Sequence, residues 1–290
     1  MPDPLVSVQR VTRRFGDFTA VEDASLTVDA GEIVGLLGAN GAGKTTVIRM
    51  MLGLLAPTWG ILRLFGEQPS RDTRQRLGYV AQGLGLYDDL TVAENLEFLA
   101  KAYDTPVPAL PAALEADRGS LVGAIGLGRQ RQLAFTAALA HHPELLVLDE
   151  PTSGVDPLAR ARLWDVIHEQ AEAGVAVLVT THYMQEAQQC DRLVMMSRGR
   201  TVAAGKEADI IGDTTAVAVH TDRWQDTFAA LNAAGMPVTL AGKRVRVANV
   251  GAAEVRSALS AADVTATVED VPATLEEAMT ALDRGIRAQA

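Results

Sequence analysis

Cysteine is almost absent from this chain of 290 residues: Cys190 is the only one. No intramolecular disulfide can form, and a reducing compartment is expected. Set in Ala187-Gln188-Gln189-Cys190-Asp191 with no catalytic partner beside it, Cys190 reads as a buried packing thiol. Aromatic residues are scarce at 4%, yet hydrophobic residues reach 48%, ample for a buried core. Basic residues are in deficit, 26 Lys and Arg against 36 Asp and Glu, for a net charge of −10. With no positive surplus to neutralise phosphates, a nucleic-acid partner is not expected. No apolar run approaches the ~18–20 residues that span a bilayer. Met1-Pro2-Asp3-Pro4 has neither the basic nor the apolar region of a signal peptide. Any work at a membrane is therefore expected from the cytoplasmic side, peripherally, through a partner. The length suits one large domain with a small second one.

The strongest positive signal is Gly38-Ala39-Asn40-Gly41-Ala42-Gly43-Lys44-Thr45, a complete G-x-x-x-x-G-K-[ST] loop. It follows the apolar run Ile33-Val34-Gly35-Leu36-Leu37 and leads through Thr46 into a helical pattern, the context that this motif requires. The glycines let the backbone turn tightly and aim N–H groups at phosphate oxygens. The helix N-terminus adds a favourable dipole. Lys44 is expected on the β- and γ-phosphates, and the Thr45 hydroxyl on Mg²⁺.

Strands are expected at Leu5–Val11 and Ala24–Val28, the second closed by Asp29-Ala30-Gly31-Glu32. Thr91 and Glu94 form a capping box that starts a helix running to about Tyr103. Pro106, Pro108 and Pro111 make the next stretch a loop within a helical insert spanning about 83–137. Leu145-Leu146-Val147-Leu148-Asp149 is continuously apolar and then acidic, as a buried parallel strand should be. Asp156-Pro157 opens a helix that Gly174 closes, and Val175–Thr180 is a second buried strand. Strands alternating with helices predict an α/β fold with helices on both sheet faces, a P-loop NTPase over 1–212. From 213 to 290 the order is strand (216–220), helix (222–234), hairpin (237–240 with 245–248), helix (252–261), strand (264–269) and helix (274–282). That order predicts a small α+β ferredoxin-like domain, in which His220 and Trp224 read as packing and surface residues.

Phosphate-loop proteins need an acidic strand end for Mg²⁺ and a group to orient the attacking water. Asp149, at the end of its strand, suits the metal shell, and Glu150 is placed to act as a general base. With these residues the chain resembles the ATPase subunit of an ABC transporter, in the exporter group with type-2 permeases. The resemblance covers about residues 5–210, with several motifs in the family's order. It implies that Phe15 stacks on adenine, a role for which Phe15 is preferred on register over the nearby Phe18. It implies that Gln82, in Gly78-Tyr79-Val80-Ala81-Gln82, contacts Mg²⁺ and water and links hydrolysis to the insert. Asp156, in Ser153-Gly154-Val155-Asp156, resembles the polar anchor of a loop crossing the dimer interface. His182 resembles the switch histidine on the γ-phosphate, tying phosphate, water and Glu150 together. His141, His142 and His168 match no motif and read as solvated or structural.

One motif departs from the family pattern. Where the usual signature is Leu-Ser-Gly-Gly-Gln, the chain has Ile125-Gly126-Leu127-Gly128-Arg129-Gln130. In the family this segment of one subunit closes on ATP held by the other. The missing serine hydroxyl removes one hydrogen bond to a charged phosphate, ~1.5–3 kcal/mol, while backbone amides from Gly128 onward and the helix dipole remain. A subgroup of these exporters carries a similar Leu-Pro-Leu-Gly variant, so the segment, with Gly126 and Gly128 near nucleotide, is read as altered but functional. The resemblance thus implies ATP and Mg²⁺, a second ATPase subunit (identical or related), a separate membrane permease and ATP-driven efflux. A soluble ABC-type ATPase of translation or DNA repair is disfavoured by the single motif set and short insert. A catalytically weak regulator is suggested only by Gly126 and Leu127.

Overall fold

The computed structural model describes residues 3–289, and the chain divides into two compact units, Met1–Ala203 and Ala204–Ala290. In the first unit, β1 (Val6–Phe15) and β2 (Phe18–Val28) pair as an antiparallel hairpin in which Phe15 faces Phe18 across the turn. Val6, Val8, Val21, Leu26 and Val28 are buried along the two strands, as expected of a sheet with one face on a core. β3 (Ile33–Leu37) is buried throughout and feeds α1 (Lys44–Met51) through the glycine-rich loop. β4 (Trp59–Leu64) returns to β1 and completes a three-stranded sheet in the order β2-β1-β4. The sequence alone did not point to β4, because Trp59, Gly60 and Ile61 are exposed and break the apolar alternation. Its place comes from pairing with β1, Leu62 opposite Val8 and Leu64 opposite Val6.

The chain continues through α2 (Arg71–Gln75), β5 (Leu77–Val80), α3 (Val92–Tyr103), α4 (Leu127–Leu139), β6 (Leu145–Asp149), α5 (Pro157–Glu172) and β7 (Ala176–Thr181). It then forms α6 (Met184–Ala187), β8 (Arg192–Ser197) and β9 (Arg200–Gly205). Six strands assemble in the order β5-β6-β7-β3-β8-β9, and β5, β6, β7, β3 and β8 pair in parallel. Side chains of β6 alternate between the two faces. Leu145 and Val147 join the core shared with β1 and β2, whereas Leu146 and Leu148 join Phe135, Trp164 and Ile167 on the helical side. Parallel pairing brings the C-terminal ends of β3, β5, β6 and β7 to one edge, where ligands of open α/β sheets bind.

The insert keeps a small core of its own. α3 starts at the expected capping box: Thr91 Oγ1 accepts from the Glu94 amide at 3.2 Å, and Glu94 accepts from the Thr91 amide at 2.8 Å. Val92 and Leu96 pack with Leu114, Val122 and Ile125, and with Leu133 and Ala137 of α4.

The second unit contains α7 (Glu207–Ile211), β10 (Thr215–His220), α8 (Trp224–Ala233), β11 (Val238–Ala241), β12 (Arg244–Ala248), α9 (Ala252–Ala261), β13 (Thr267–Pro272) and α10 (Leu275–Gln289). Its four strands are antiparallel in the order β11-β12-β10-β13. Strand–helix–strand–strand–helix–strand with the first and third strands central is the split βαβ arrangement of ferredoxin-like folds. The division after Ala203 lies earlier than the 212/213 boundary expected from sequence, because α10 packs against α7 and draws it into this unit. The strand expected from Val264 begins at Thr267 instead. Val264 is occupied in ending α9, its amide donating to the Leu259 carbonyl at 3.0 Å while its side chain is buried.

Candidate functional site

The loop Gly38–Lys44 is shaped by backbone geometry that side chains oppose. Gly38 has φ +155°, and a Cβ there would lie 2.4 Å from the Met196 carbonyl oxygen. Gly43, with φ +103°, caps α1 while approaching the Ala20 carbonyl. No side chain caps the start of α1, which leaves its N-terminal N–H groups for another acceptor. Asn40, Gly41, Ala42, Gly43, Lys44, Thr45 and Thr46 line a cavity of about 430 Å³ whose other walls are Phe18, Ala20, Gln82 and Glu150.

Lys44 is buried, its Nζ donating to the carbonyls of Gly38 at 2.6 Å and Ala39 at 3.3 Å. Burial holds its pKa below the ordinary lysine value, opposed by the nearby carboxylates of Glu150 and Asp149. Asp149 is almost fully buried and accepts from the Thr180 hydroxyl at 2.7 Å and the Thr45 hydroxyl at 3.3 Å. A hydroxyl and a carboxylate oxygen meeting beside a phosphate loop are hard donors of the kind Mg²⁺ takes, usually with substrate phosphates and water completing the shell. Among the described residues no cluster of three or more His, Cys, Asp or Glu could cage a metal alone.

Glu150 follows directly, and its backbone adopts a left-handed φ of +49°, rare for a side-chain-bearing residue. Two neighbours hold that conformation. Its amide donates to the Thr180 hydroxyl at 2.9 Å, and the buried Arg131 of α4 donates to the carbonyls of Glu150 at 3.3 Å and Ser153 at 2.8 Å. The Glu150 carboxylate accepts from Gln82 Nε2 at 3.3 Å and lies 3.4 Å from His182 Nδ1. Five expected residues are therefore joined in one chain of contacts: Thr45, Asp149, Glu150, Gln82 and His182.

Three expected residues sit differently. Phe15 is half exposed, with the Arg13 guanidinium 4.6 Å over its ring, and the aromatic on the cavity wall is its cross-strand neighbour Phe18. Asp156 is exposed and caps α5, its Oδ1 accepting from the Leu158 and Ala159 amides at 3.0 Å. The Ala159 amide is the largest influence holding its carboxyl below the usual range. Gly126 caps α4 with no side-chain bond, and open space surrounds its missing Cβ. Leu127 leans toward Gly154 of the same chain, so close that a Cβ on Gly154 would come within 3.1 Å of Leu127 Cδ2. The Gln130 amide is spent on the Val122 and Ile125 carbonyls, both at 3.0 Å.

Sequence reasoning missed Thr180, Arg131 and Glu186. Thr180 was visible as a hydroxyl at the end of an apolar strand. Arg131 and Glu186 are charged residues on helices, ordinarily solvated, and nothing local marks them as buried. Cys190 is half-buried, packed against the helical-side core, and desolvation with the neighbouring Asp191 and Glu186 pushes its thiol up to about 12, far from reactive. Among the described residues no helix is long and apolar enough to cross a membrane.

These features can be set beside known proteins. The family model described as ABC transporter matches residues 21–153. The probable multidrug ABC transporter ATP-binding protein YbhF of Escherichia coli (strain K12) is 40% identical over 220 residues, 72% of this chain but 38% of that protein. This chain thus spans under half the length of that relative. A Nod factor export ATP-binding protein I of Burkholderia lata is 42% identical over 218 residues, 71% of this chain and 72% of its own length. A solved ATP-binding subunit of an ABC transporter superposes with TM-score 0.64 at 30% identity, covering 71% of this chain and 92% of that one. A dimeric ATP-binding cassette solved in a post-hydrolysis state with ADP and Pi shares the fold, with TM-score 0.61 at 23% identity over 69% of this chain and 98% of its own. The chain belongs to the ABC transporter family, among its ATP-binding proteins, and carries the P-loop cassette of that family in its first unit.

Proposed function

We propose that this chain is the ATP-hydrolysing subunit of an exporter, dimerising around ATP to drive transport through a separate membrane permease. The observation that supports it most is the Glu150 carboxylate held between Gln82 and His182 at the mouth of the phosphate-loop cavity. A carboxylate so placed can accept a proton from a water attacking the γ-phosphate. Lys44 supplies a buried positive charge to the β- and γ-phosphates, and the N-terminal amides of α1 surround the same oxygens. His182 is in reach of Glu150 and suits a contact to the γ-phosphate, so its imidazole can orient water and base together. Thr45, Asp149 and Gln82 would hold Mg²⁺, which supplies charge neutralisation on the phosphates. Phe15, with Phe18 beside it, offers a stacking face for adenine.

The second ATPase subunit, identical or related, would place its Ile125–Gly128 segment and Asp156 against this site. Relatives named for multidrug and Nod factor export support an export direction. A permease partner places the working chain peripherally on the cytoplasmic face of the membrane. The test is Glu150→Gln, which keeps size and hydrogen bonding but removes the base. Turnover should drop on the order of 10²–10⁴-fold, with ATP retained in a closed dimer. Hydrolysis at the parent rate, measured by phosphate release, would refute the role.

A further inference from the structure

Glu186, on α6, is 2% exposed although it carries a carboxylate. Its Oε1 accepts from the Thr152 hydroxyl, and its Oε2 accepts from the Thr181 hydroxyl at 2.5 Å. Arg160 Nε of α5 lies 3.7 Å from Oε1, and the Arg160 guanidinium also covers the Tyr183 ring at 5.2 Å. Thr152 stands two residues after Glu150, and Thr181 stands immediately before His182. The Thr181 hydroxyl accepts in turn from the Tyr183 amide at 3.0 Å, so the hydrogen bonds bracket His182 on both sides.

From this bridge we infer that Glu186 is a positioning residue that sets the spacing between Glu150 and His182. The two functional side chains themselves are weakly coupled: their 3.4 Å separation is at the long limit of a hydrogen bond, and the His182 ring is partly open to solvent. The carboxylate of Glu186, by contrast, is rigid and planar, and grips both segments with one oxygen each. A buried carboxylate is costly unless its donors stay in place, so both threonines are held firmly. Without that grip, the Thr152 segment that follows Glu150 and the Thr181–Tyr183 segment that carries His182 are free to drift apart. The inference rests on the roles proposed above for Glu150 and His182.

A double-mutant cycle on the full chain tests it, with turnover and affinity for a non-hydrolysable ATP analogue as readouts. Glu186→Ala should lower kcat about 10²-fold, the order expected when a reacting group is displaced by about 1 Å. Analogue affinity should stay within about twofold, because Glu186 makes none of the phosphate-loop contacts, and Glu186→Gln should recover most of the rate. In a His182→Ala background the same Glu186→Ala change should cost less than about threefold more, since the partner it positions is already gone. Equal fold-losses in both backgrounds, or a loss of affinity matching the loss of kcat, would overturn the inference. If Glu186→Ala does not fold, Thr181→Val carries the same cycle with one arm of the bridge, and equal losses there overturn it too. His182→Ala at the parent rate would instead overturn the reading of the whole site, and this inference with it.

Discussion

Two loops in the first unit enter helices through a glycine, left-handed at Gly43 and extended at Gly126, and end with different chemistry. Gly43 precedes α1 and Gly126 precedes α4, and neither helix start has a side-chain cap. Around α1, the ends of parallel strands deliver Asp149 and Glu150 beside Lys44 and Thr45, and a cavity opens between them. Around α4, the neighbours are the exposed Leu127, the backbone of Gly154, and Arg129 paired with Asp117. A helix N-terminus alone is a weak anion site, worth fractions of a kcal/mol to about 2. The strand ends bring the first the carboxylates that the proposed phosphate and metal site needs. The second has no such convergence among the described residues of its own chain.

The largest effect should come from breaking the first loop. Lys44→Ala removes a cation whose charge-assisted bonds are worth ~1.5–3 kcal/mol each, so ATP affinity should fall about 10²-fold in equilibrium binding. Unchanged affinity would contradict the phosphate-loop assignment. A smaller effect, of opposite sign, should come from mending the second loop. Gly126→Ser has room for its side chain, and a serine there is also a favoured helix cap. Combined with Leu127→Gly it should strengthen ATP-driven dimerisation, by no more than ~1.5–3 kcal/mol. If the double variant dimerises as the parent does, the segment does not touch nucleotide, and a partner with the usual signature is required.

Phe15→Ala should raise the Michaelis constants for ATP and GTP alike, by ~1–3 kcal/mol equivalent if stacking here resembles that on nucleic acids. Phe18→Ala serves as the paired control. If only Phe18→Ala has the effect, the cavity-lining ring is the platform and Phe15 is its support.

The smallest effect separates the two helices by pH. His141, just beyond α4, stacks on Tyr103 with ring centroids 3.9 Å apart, and its Nε2 lies 3.2 Å from the Leu77 carbonyl. Burial, the largest cause, holds its pKa below the ordinary histidine value. An unfolded chain therefore takes up a proton that the folded chain refuses as pH falls below about 6.5. Stability is complete above that pH and lost as pH falls through the depressed value. His141→Gln should flatten this acid limb of the melting temperature, and an unchanged limb would assign the loss to other groups.

Legibility from sequence followed how local each signal was. The phosphate loop was readable because its conformation depends on glycines and on its immediate neighbours. Glu94 and Thr91 announced their helix start for the same reason, and the apolar run before Asp149 its buried strand. β4 was illegible because exposed residues at its start hide it and its place is set by pairing with β1 and by burial of Leu62 and Leu64 in the core. The shift of the last strand to Thr267 had a similar cause: Val264 is apolar in either role, and the turn that ends α9 decides between them.

The amino-acid sequence alone showed that a phosphate-binding loop is present and that an acidic strand end follows it. Those are properties of short segments, whose backbone preferences and periodicity act before distant parts of the chain meet. Only the tertiary structure decided that Arg131 and Glu186 are buried and what they hold. Their partners are backbone carbonyls and threonine hydroxyls 5 to 34 residues away along the chain. Whether a charge lies in water or in a core depends on which helices cover it, and that is set by packing across the sheet. The same packing placed Gln82, Glu150 and His182 within reach of one another at the edge where parallel strands end.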